Sequence, residues 1–183
     1  MSVERVPILM YHRVGEARSE SERRYCVGKR HFEAHMAMLA RAGWHALALA
    51  DFFHWLDGKL DIEHPAFLLT FDDGFQSVHD HAAPVLADMG WPATVFLVSS
   101  LLGRTNMWGT RQNPGGVTYP LMGQQHISAL RKQGFTFHSH TCTHADLPTL
   151  DDAALHRELA RSRAELQDVL GESIDYLACP YGH

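Results

Sequence analysis

Two short stretches of this 183-residue chain set side chains that can act together. Thr70-Phe-Asp-Asp-Gly74 places two adjacent carboxylates directly behind an uncharged run that begins at Phe67, and His140-Thr-Cys-Thr-His144 places two imidazoles at i and i+4. One carboxylate with two histidines makes a typical open metal site, with positions left for water and a substrate. A second carboxylate left free beside such a centre can accept a proton from water. The combination suits hydrolysis assisted by one divalent ion. Taken singly, each stretch has a plainer meaning. Asp-Asp-Gly commonly caps and turns ahead of a helix, and a lone i,i+4 histidine pair on a surface helix is usually just solvated.

The elements that must position these groups carry the decision. Phe67 to Phe71 is uncharged and mostly large and apolar, and reads as a short strand buried on both faces. Side chains alternate along a strand, so Asp72 and Asp73 serve one site only where the strand ends, and Gly74 lets the backbone turn there. Phe135 to His140 reads as another such strand. Both clusters then sit at strand C-termini, where α/β folds place their sites. If the chain turns helical after His140, both imidazoles lie on one side, roughly 5–6 Å apart at Cβ. Cys142, at i+2, points away from that face and is left out of the ligand set. His138 shares a strand face with His140 and reads as a packed histidine.

Elsewhere Val6 to Tyr11 reads as a buried strand that ends in a titratable residue, His12. Arg13 to Lys29 is charged and irregular, a surface loop. Helices are expected over 31–42, 50–57, 82–89 and 121–133, closed by Gly43, Gly58, Gly90 and Gly134. A further helix opens at a capping-box-like Thr149/Asp152 pair, carries Leu155, Leu159, Leu166 and Leu170 on one side, and stops at Gly171. Trp44 to Leu49, Ala93 to Ser99 and Tyr176 to Cys179 are the remaining strands. Leu101 to Pro120, rich in Gly, Asn and Thr, is a long loop suited to a lid or a substrate wall. Strands alternating with helices predict parallel βαβ units.

Length and composition bound the rest. Residues 1–183 make a single domain with 45% hydrophobic residues, enough for a core. A net charge of −5 with no basic run argues against nucleic acid and anionic membrane surfaces as partners. The three cysteines, Cys26, Cys142 and Cys179, are too few and scattered for a disulfide framework. Val6 to Met10 is too short for a secretory h-region and no segment is long enough to span a bilayer, so a cytoplasmic location is expected. Most of the 14 histidines sit among polar neighbours and are expected to face solvent.

Thr70-Phe-Asp-Asp-Gly74, His140-Thr-Cys-Thr-His144 and Pro180-Tyr-Gly182, in that order, resemble the first three motifs of the NodB-type polysaccharide deacetylases, the fourth carbohydrate esterase family. The resemblance implies a distorted (β/α) barrel with parallel strands and removal of N-acetyl groups from amino sugars, using one divalent metal, commonly zinc. It assigns Asp73, His140 and His144 to the metal, Asp72 to the general base, and the backbone N–H of Tyr181 to an oxyanion donor. Two departures stand out. Ala178 occupies the place where the family's third motif usually has an arginine that orients the catalytic aspartate. The Trp-containing and Leu-x-His motifs that commonly follow Pro-Tyr-Gly are missing, and a closed barrel typically takes about 250 residues. The expectation is a C-terminally incomplete barrel. In the deacetylases of biofilm poly-N-acetylglucosamine systems the motif order is permuted, with the catalytic histidine early in a Met-Tyr-His segment like Met10-Tyr-His12. That likeness makes His12 the candidate general acid.

The expected activity is metal-dependent deacetylation of an N-acetylated polysaccharide or glycoconjugate. Two other readings stand beside it: a weak or inactive carbohydrate-binding relic of the same fold, and a hydrolase of small cyclic amides.

Overall fold

The run Ala66–Phe71 has no charged residue, and all six positions are buried, which is why it lies inside the sheet rather than at its rim. The computed structural model describes residues 3–109 and 116–182. In chain order the strands and helices are β1 (Ile8–Tyr11), β2 (Arg13–Val14), β3 (Cys26–Val27), α1 (Lys29–Arg41), β4 (His45–Leu47), α2 (Leu49–Leu56), β5 (Ala66–Phe71), α3 (Ala83–Met89), β6 (Thr94–Leu97), α4 (Gln124–Arg131), β7 (Thr136–Ser139) and α5 (Asp152–Leu170).

Every pairing in the main sheet is parallel. β1 runs along β5 from Ile8↔Leu68 to Tyr11↔Phe71, β4 pairs with its first half, and β6 pairs at Thr70↔Thr94 and Phe71↔Val95. β7 continues from β6, Thr94↔Thr136 to Leu97↔Ser139. This is the parallel α/β arrangement expected from the alternation of strands and helices. Phe67, Leu69, Phe71, Val95, Leu97 and Phe137 form one side of the core, and Phe32, Met36, Leu86, Ile127, Leu130, Leu166 and Leu170 from the helices close over them. Leu68, on the other face of β5, joins a smaller cluster with Leu49 and Phe52. Among the described residues no helix is long and apolar enough to cross a membrane.

Several expectations from the sequence need correction. β1 is not buried on both faces: Ile8 and Met10 are 54% and 59% exposed, while Leu9 and Tyr11 pack on the core. It ends the strand order, and an apolar residue at every position hides which face is covered. Residues 13–29 are more ordered than a surface loop, because β2 and β3 pair in parallel and Arg13 and Val14 are buried. The helix expected over 121–133 is shorter, because Leu121 bridges to Phe75 and the Met122 N–H donates to the Gly74 carbonyl at 2.8 Å. Asp151 caps α5, its Oδ1 accepting from the Ala154 N–H at 2.7 Å. Thr149 instead donates its hydroxyl to the Asp146 carbonyl. Tyr176 to Cys179 contributes a single bridge, Ser139↔Leu177, rather than a strand.

The chain leaves β5 through two successive left-handed residues, Asp73 at φ 72° and Gly74 at φ 73°. Such a conformation costs an L-residue roughly 1–2 kcal/mol. At Gly74 there is also no room, since a Cβ would stand 2.6 Å from Leu97 Cδ2. Gly74→Ala should therefore lose about 2–4 kcal/mol in urea unfolding, strain and overpacking together. Gly90→Ala should lose only about 1 kcal/mol, because Gly90 is left-handed at φ 66° but a Cβ there meets nothing within 4 Å. Equal losses at the two sites would show that Leu97 does not hold the turn.

Candidate metal centre

Asp72 and Asp73 leave the end of β5, and His140 follows β7. The Asp72 N–H donates to the Tyr11 carbonyl at 2.9 Å and the His140 N–H to the Leu97 carbonyl at 2.8 Å, so each of the two stretches is tied to a neighbouring strand. The segment 140–144 is not helical, contrary to the condition placed on the i,i+4 spacing. Thr141 and His144 are left-handed, at φ 67° and 60°. Hydrogen bonds hold that strained turn on several sides. The Thr141 N–H donates to Ser139 Oγ and the His144 N–H to Thr141 Oγ1, both at 3.1 Å. Ser99 and Ser100 donate their N–H groups to the carbonyls of Thr141 and Cys142. From α5, the Glu158 carboxylate accepts from both the N–H and the hydroxyl of Thr143. The histidines converge through a pinned turn rather than a helical one.

The result is a buried cluster. Asp73 Oδ1 lies 3.1 Å from His144 Nε2 and 3.3 Å from His140 Nε2, and the three side chains are nearly closed to solvent. Tetrahedral Zn²⁺ ligands at about 2.0–2.1 Å from the ion stand about 3.3 Å from one another, so the spacing fits. The hydrogen bonding fits as well. His140 Nδ1 is 2.9 Å from the Ala178 carbonyl, which can only accept, so Nδ1 carries the proton and a neutral ring turns its Nε2 lone pair toward Asp73. His144 Nδ1 stands 3.2 Å from the Tyr181 hydroxyl. Asp73 Oδ1 is buried with no hydrogen bond of acceptable geometry. A cation is what such a set of facing acceptors lacks.

Charge follows the same layout. Burial pushes the Asp73 carboxyl up, but the two imidazoles beside it outweigh that and hold it well below the usual carboxylate range. Burial draws the His140 imidazole down, and Asp73 more than reverses the shift, leaving it raised. Burial pushes the Asp72 carboxyl up, against the opposing influence of His140 and His12.

All six candidate residues line one cavity of about 490 Å³: His12, Asp72, Asp73, His140, His144 and Tyr181. A larger groove of about 670 Å³, between Ser99–Leu102 and α5, holds none of them. His138 packs against Tyr176 and Phe96, outside the cavity, as expected. Cys142 is buried, with its thiol 3.6 Å from the Glu165 carboxylate, and stays out of the cluster. Sequence reasoning missed two neighbours. The Trp108 ring stacks on His144, centroids 4.3 Å apart and planes 12° from parallel. The Tyr181 side chain also touches His144, in addition to the backbone role expected of it. Trp108 and Tyr119 make the described part of the 101–120 loop a cavity wall, and residues 110–115 of that loop lie outside the described residues. The aromatic residues of that loop were the available signal.

Residues 60–183 match the family model described as polysaccharide deacetylase. The chain belongs to that family. It is 25% identical over 178 residues to YxkH, a Bacillus subtilis protein carrying the family's name, covering 97% of this chain and 57% of that protein. It is 30% identical over 115 residues to a chitin deacetylase of Pestalotiopsis sp, 63% of this chain and 34% of that one. The chain thus spans little more than half the length of the first relative and a third of the second. Among solved structures, IcaB from Ammonifex degensii superposes with a TM-score of 0.79 at 26% identity, over 97% of this chain and 75% of its own. The Streptococcus pyogenes deacetylase PplD reaches 0.80 at 22% identity, over 100% of this chain and 76% of its own, a likeness of fold. The (β/α)-barrel-like fold implied by the motifs is the fold of these neighbours.

The cluster predicts one divalent ion per purified chain by elemental analysis and loss of that ion in His144→Ala. Full retention in the variant would remove His144 from the site.

Proposed function

We propose that this protein is a metal-dependent hydrolase that removes N-acetyl groups from amino sugars of a polysaccharide or glycoconjugate, with zinc held by Asp73, His140 and His144. The observation that carries this reading is the pair of buried acceptors, Asp73 Oδ1 and His140 Nε2 3.3 Å apart, in a cavity that also holds Asp72 and His12. Two histidines and a carboxylate form a donor set that zinc takes in hydrolytic sites with one position open. Bound there, the ion lowers the pKa of a water molecule and polarises the acyl carbonyl.

The chain's own groups supply the rest. Asp72 takes the proton of the attacking water, and the upward shift that burial gives its carboxyl makes it a better acceptor. Ala178 stands in place of an arginine, and the main chain at Asp72 is held to β1 through the Tyr11 carbonyl that accepts its N–H. His12 gives a proton to the departing amine. The Tyr181 N–H, in the left-handed turn at φ 63° that brings its ring to His144, is the donor to the developing oxyanion. The relatives named for chitin and polysaccharide deacetylation support an amino-sugar chain as substrate. A binding relic finds no support where all six residues remain and face one cavity. Metal-loaded protein should release acetate from N-acetylglucosamine oligomers. A loaded protein releasing none from β-1,4- or β-1,6-linked oligomers would exclude this function.

Asp72→Asn should keep the metal and lose about 10²–10⁴-fold in turnover, the range of general-base contributions. A lost metal would mean that Asp72 and Asp73 have exchanged roles. For wild type, kcat/KM should rise with pH as Asp72 ionises, and the rise should come at higher pH than for an ordinary carboxylate because burial pushes that carboxyl up. His12→Ala should slow amide cleavage far more than cleavage of an activated aryl acetate, whose leaving group needs no proton. Equal losses on both substrates would leave His12 a structural part only.

A further inference from the structure

His138 takes no part in the hydrolytic scheme, yet it lies on β7 two residues before His140. It is only 9% exposed, and its Nδ1 is buried with no hydrogen-bond partner. An unpaired buried polar atom is a cost, so what this side chain contributes is the contact of its ring. That contact is with Tyr176, centroids 4.8 Å apart and planes at 87°, an edge-to-face pair. Phe53 of α2 stacks on the same Tyr176 ring, centroids 4.3 Å apart and planes 7° from parallel. Two rings from different elements, one of the sheet and one of a helix, therefore hold Tyr176 beside the small cluster of Leu49, Phe52 and Leu68.

The main chain that carries this ring reaches the metal centre. Tyr176 to Cys179 lies along β7 on a single bridge, Ser139↔Leu177. The Ser139 N–H donates to the Tyr176 carbonyl at 3.1 Å, and the Ala178 N–H donates to the Ser139 carbonyl at 3.0 Å. Both bonds end on Ser139, so they hold the segment at one residue of β7 and do not by themselves fix its tilt. Leu177 adds little, being 40% exposed. Ile174 and Pro180 are buried toward either end, and Tyr176 is the large side chain between them. Two residues beyond Tyr176, the Ala178 carbonyl accepts the His140 Nδ1 proton across 2.9 Å. A modest tilt would carry that oxygen out of hydrogen-bond reach. We infer that Tyr176 is a positioning residue for the metal centre: clamped by Phe53 and His138, its ring holds the Ala178 carbonyl against His140 and so sets the orientation of that ligand. The inference rests on the metal-dependent reading only for what His140 then binds. It gives α2, none of whose residues lines the cavity, a part in metal affinity.

The test follows the His140 Nδ1 proton by NMR on metal-free protein carrying labelled histidine, and zinc affinity by competition with a chelator. Wild type should protect that proton from exchange with solvent. Tyr176→Ala should speed its exchange at least about tenfold and weaken zinc about 10–100-fold, the usual effect of losing a group that orients a ligand. Tyr176→Phe keeps the ring and should restore both. Phe53→Ala should move both in the same direction as Tyr176→Ala, and it carries the test if Tyr176→Ala does not fold. A wild-type proton that exchanges freely would overturn the inference. So would a Tyr176→Ala or Phe53→Ala variant that binds zinc as tightly as wild type, or a Tyr176→Phe variant that restores neither property. Faster exchange in the variants of a protein that takes up no zinc would instead sink the metal reading and leave the bracing by Tyr176 standing. Zinc bound by wild type without acetate release would sink the deacetylase reading alone.

Discussion

Two imidazole nitrogens stand within 3.3 Å of Asp73 Oδ1 in a place nearly closed to water, and the rest of the site depends on that contact. Acceptors facing each other in a low dielectric repel unless a proton or a cation stands between them. The Ala178 carbonyl takes the Nδ1 proton of His140 and thereby fixes which nitrogen faces Asp73. Segment 178–181 thus orients both histidines, one through a carbonyl and the other through the Tyr181 hydroxyl. Ala178 acts here through its main chain, a part any residue type can play.

Holding that contact requires backbone strain at each stretch. Asp73, Thr141, His144 and Tyr181 are the positive-φ residues other than glycine among those described, and all four belong to the site. Such strain persists only where the surroundings over-determine it. Around Thr141 to His144 they do so through the N–H groups of Ser99 and Ser100, the Ser139 hydroxyl and the Glu158 carboxylate. Around Asp73 the close approach of Leu97 to Gly74 does the same by packing. Sheet and helix α5 act as a frame that keeps four unfavourable conformations in register.

The walls of the cavity are built differently. They rest on side-chain contacts between segments distant in the chain, Glu22 with Tyr119 across 97 residues and Val14 with Ser77 across 63. The stacking of Trp108 on His144 joins the 101–120 loop to the cluster itself. A change in that loop therefore reaches both the wall formed by residues 13–27 and one of the imidazoles.

The amino-acid sequence by itself determined the strand ends and the groups they carry. Uncharged runs such as Phe67 to Phe71 announce burial locally, and a carboxylate pair or histidine pair set at their ends needs no distant partner to be noticed. Helix ends at Gly43, Gly90 and Gly171 were legible for the same reason, since a residue with no Cβ is suited to a left-handed turn. Tertiary structure alone decided what depends on remote neighbours. The covered face of β1 was set by β5 and the core, because Val6 to Tyr11 is apolar on both sides. The turn at Thr141 to His144 was set by Ser99, Ser100 and Glu158, none of which its own spacing names. Arg13 looked like one more charge in a polar stretch until Tyr119, far along the chain, supplied the ring that covers it. Periodicity records which residues avoid water, but a cation over a ring and a bond across 97 residues leave no period to read.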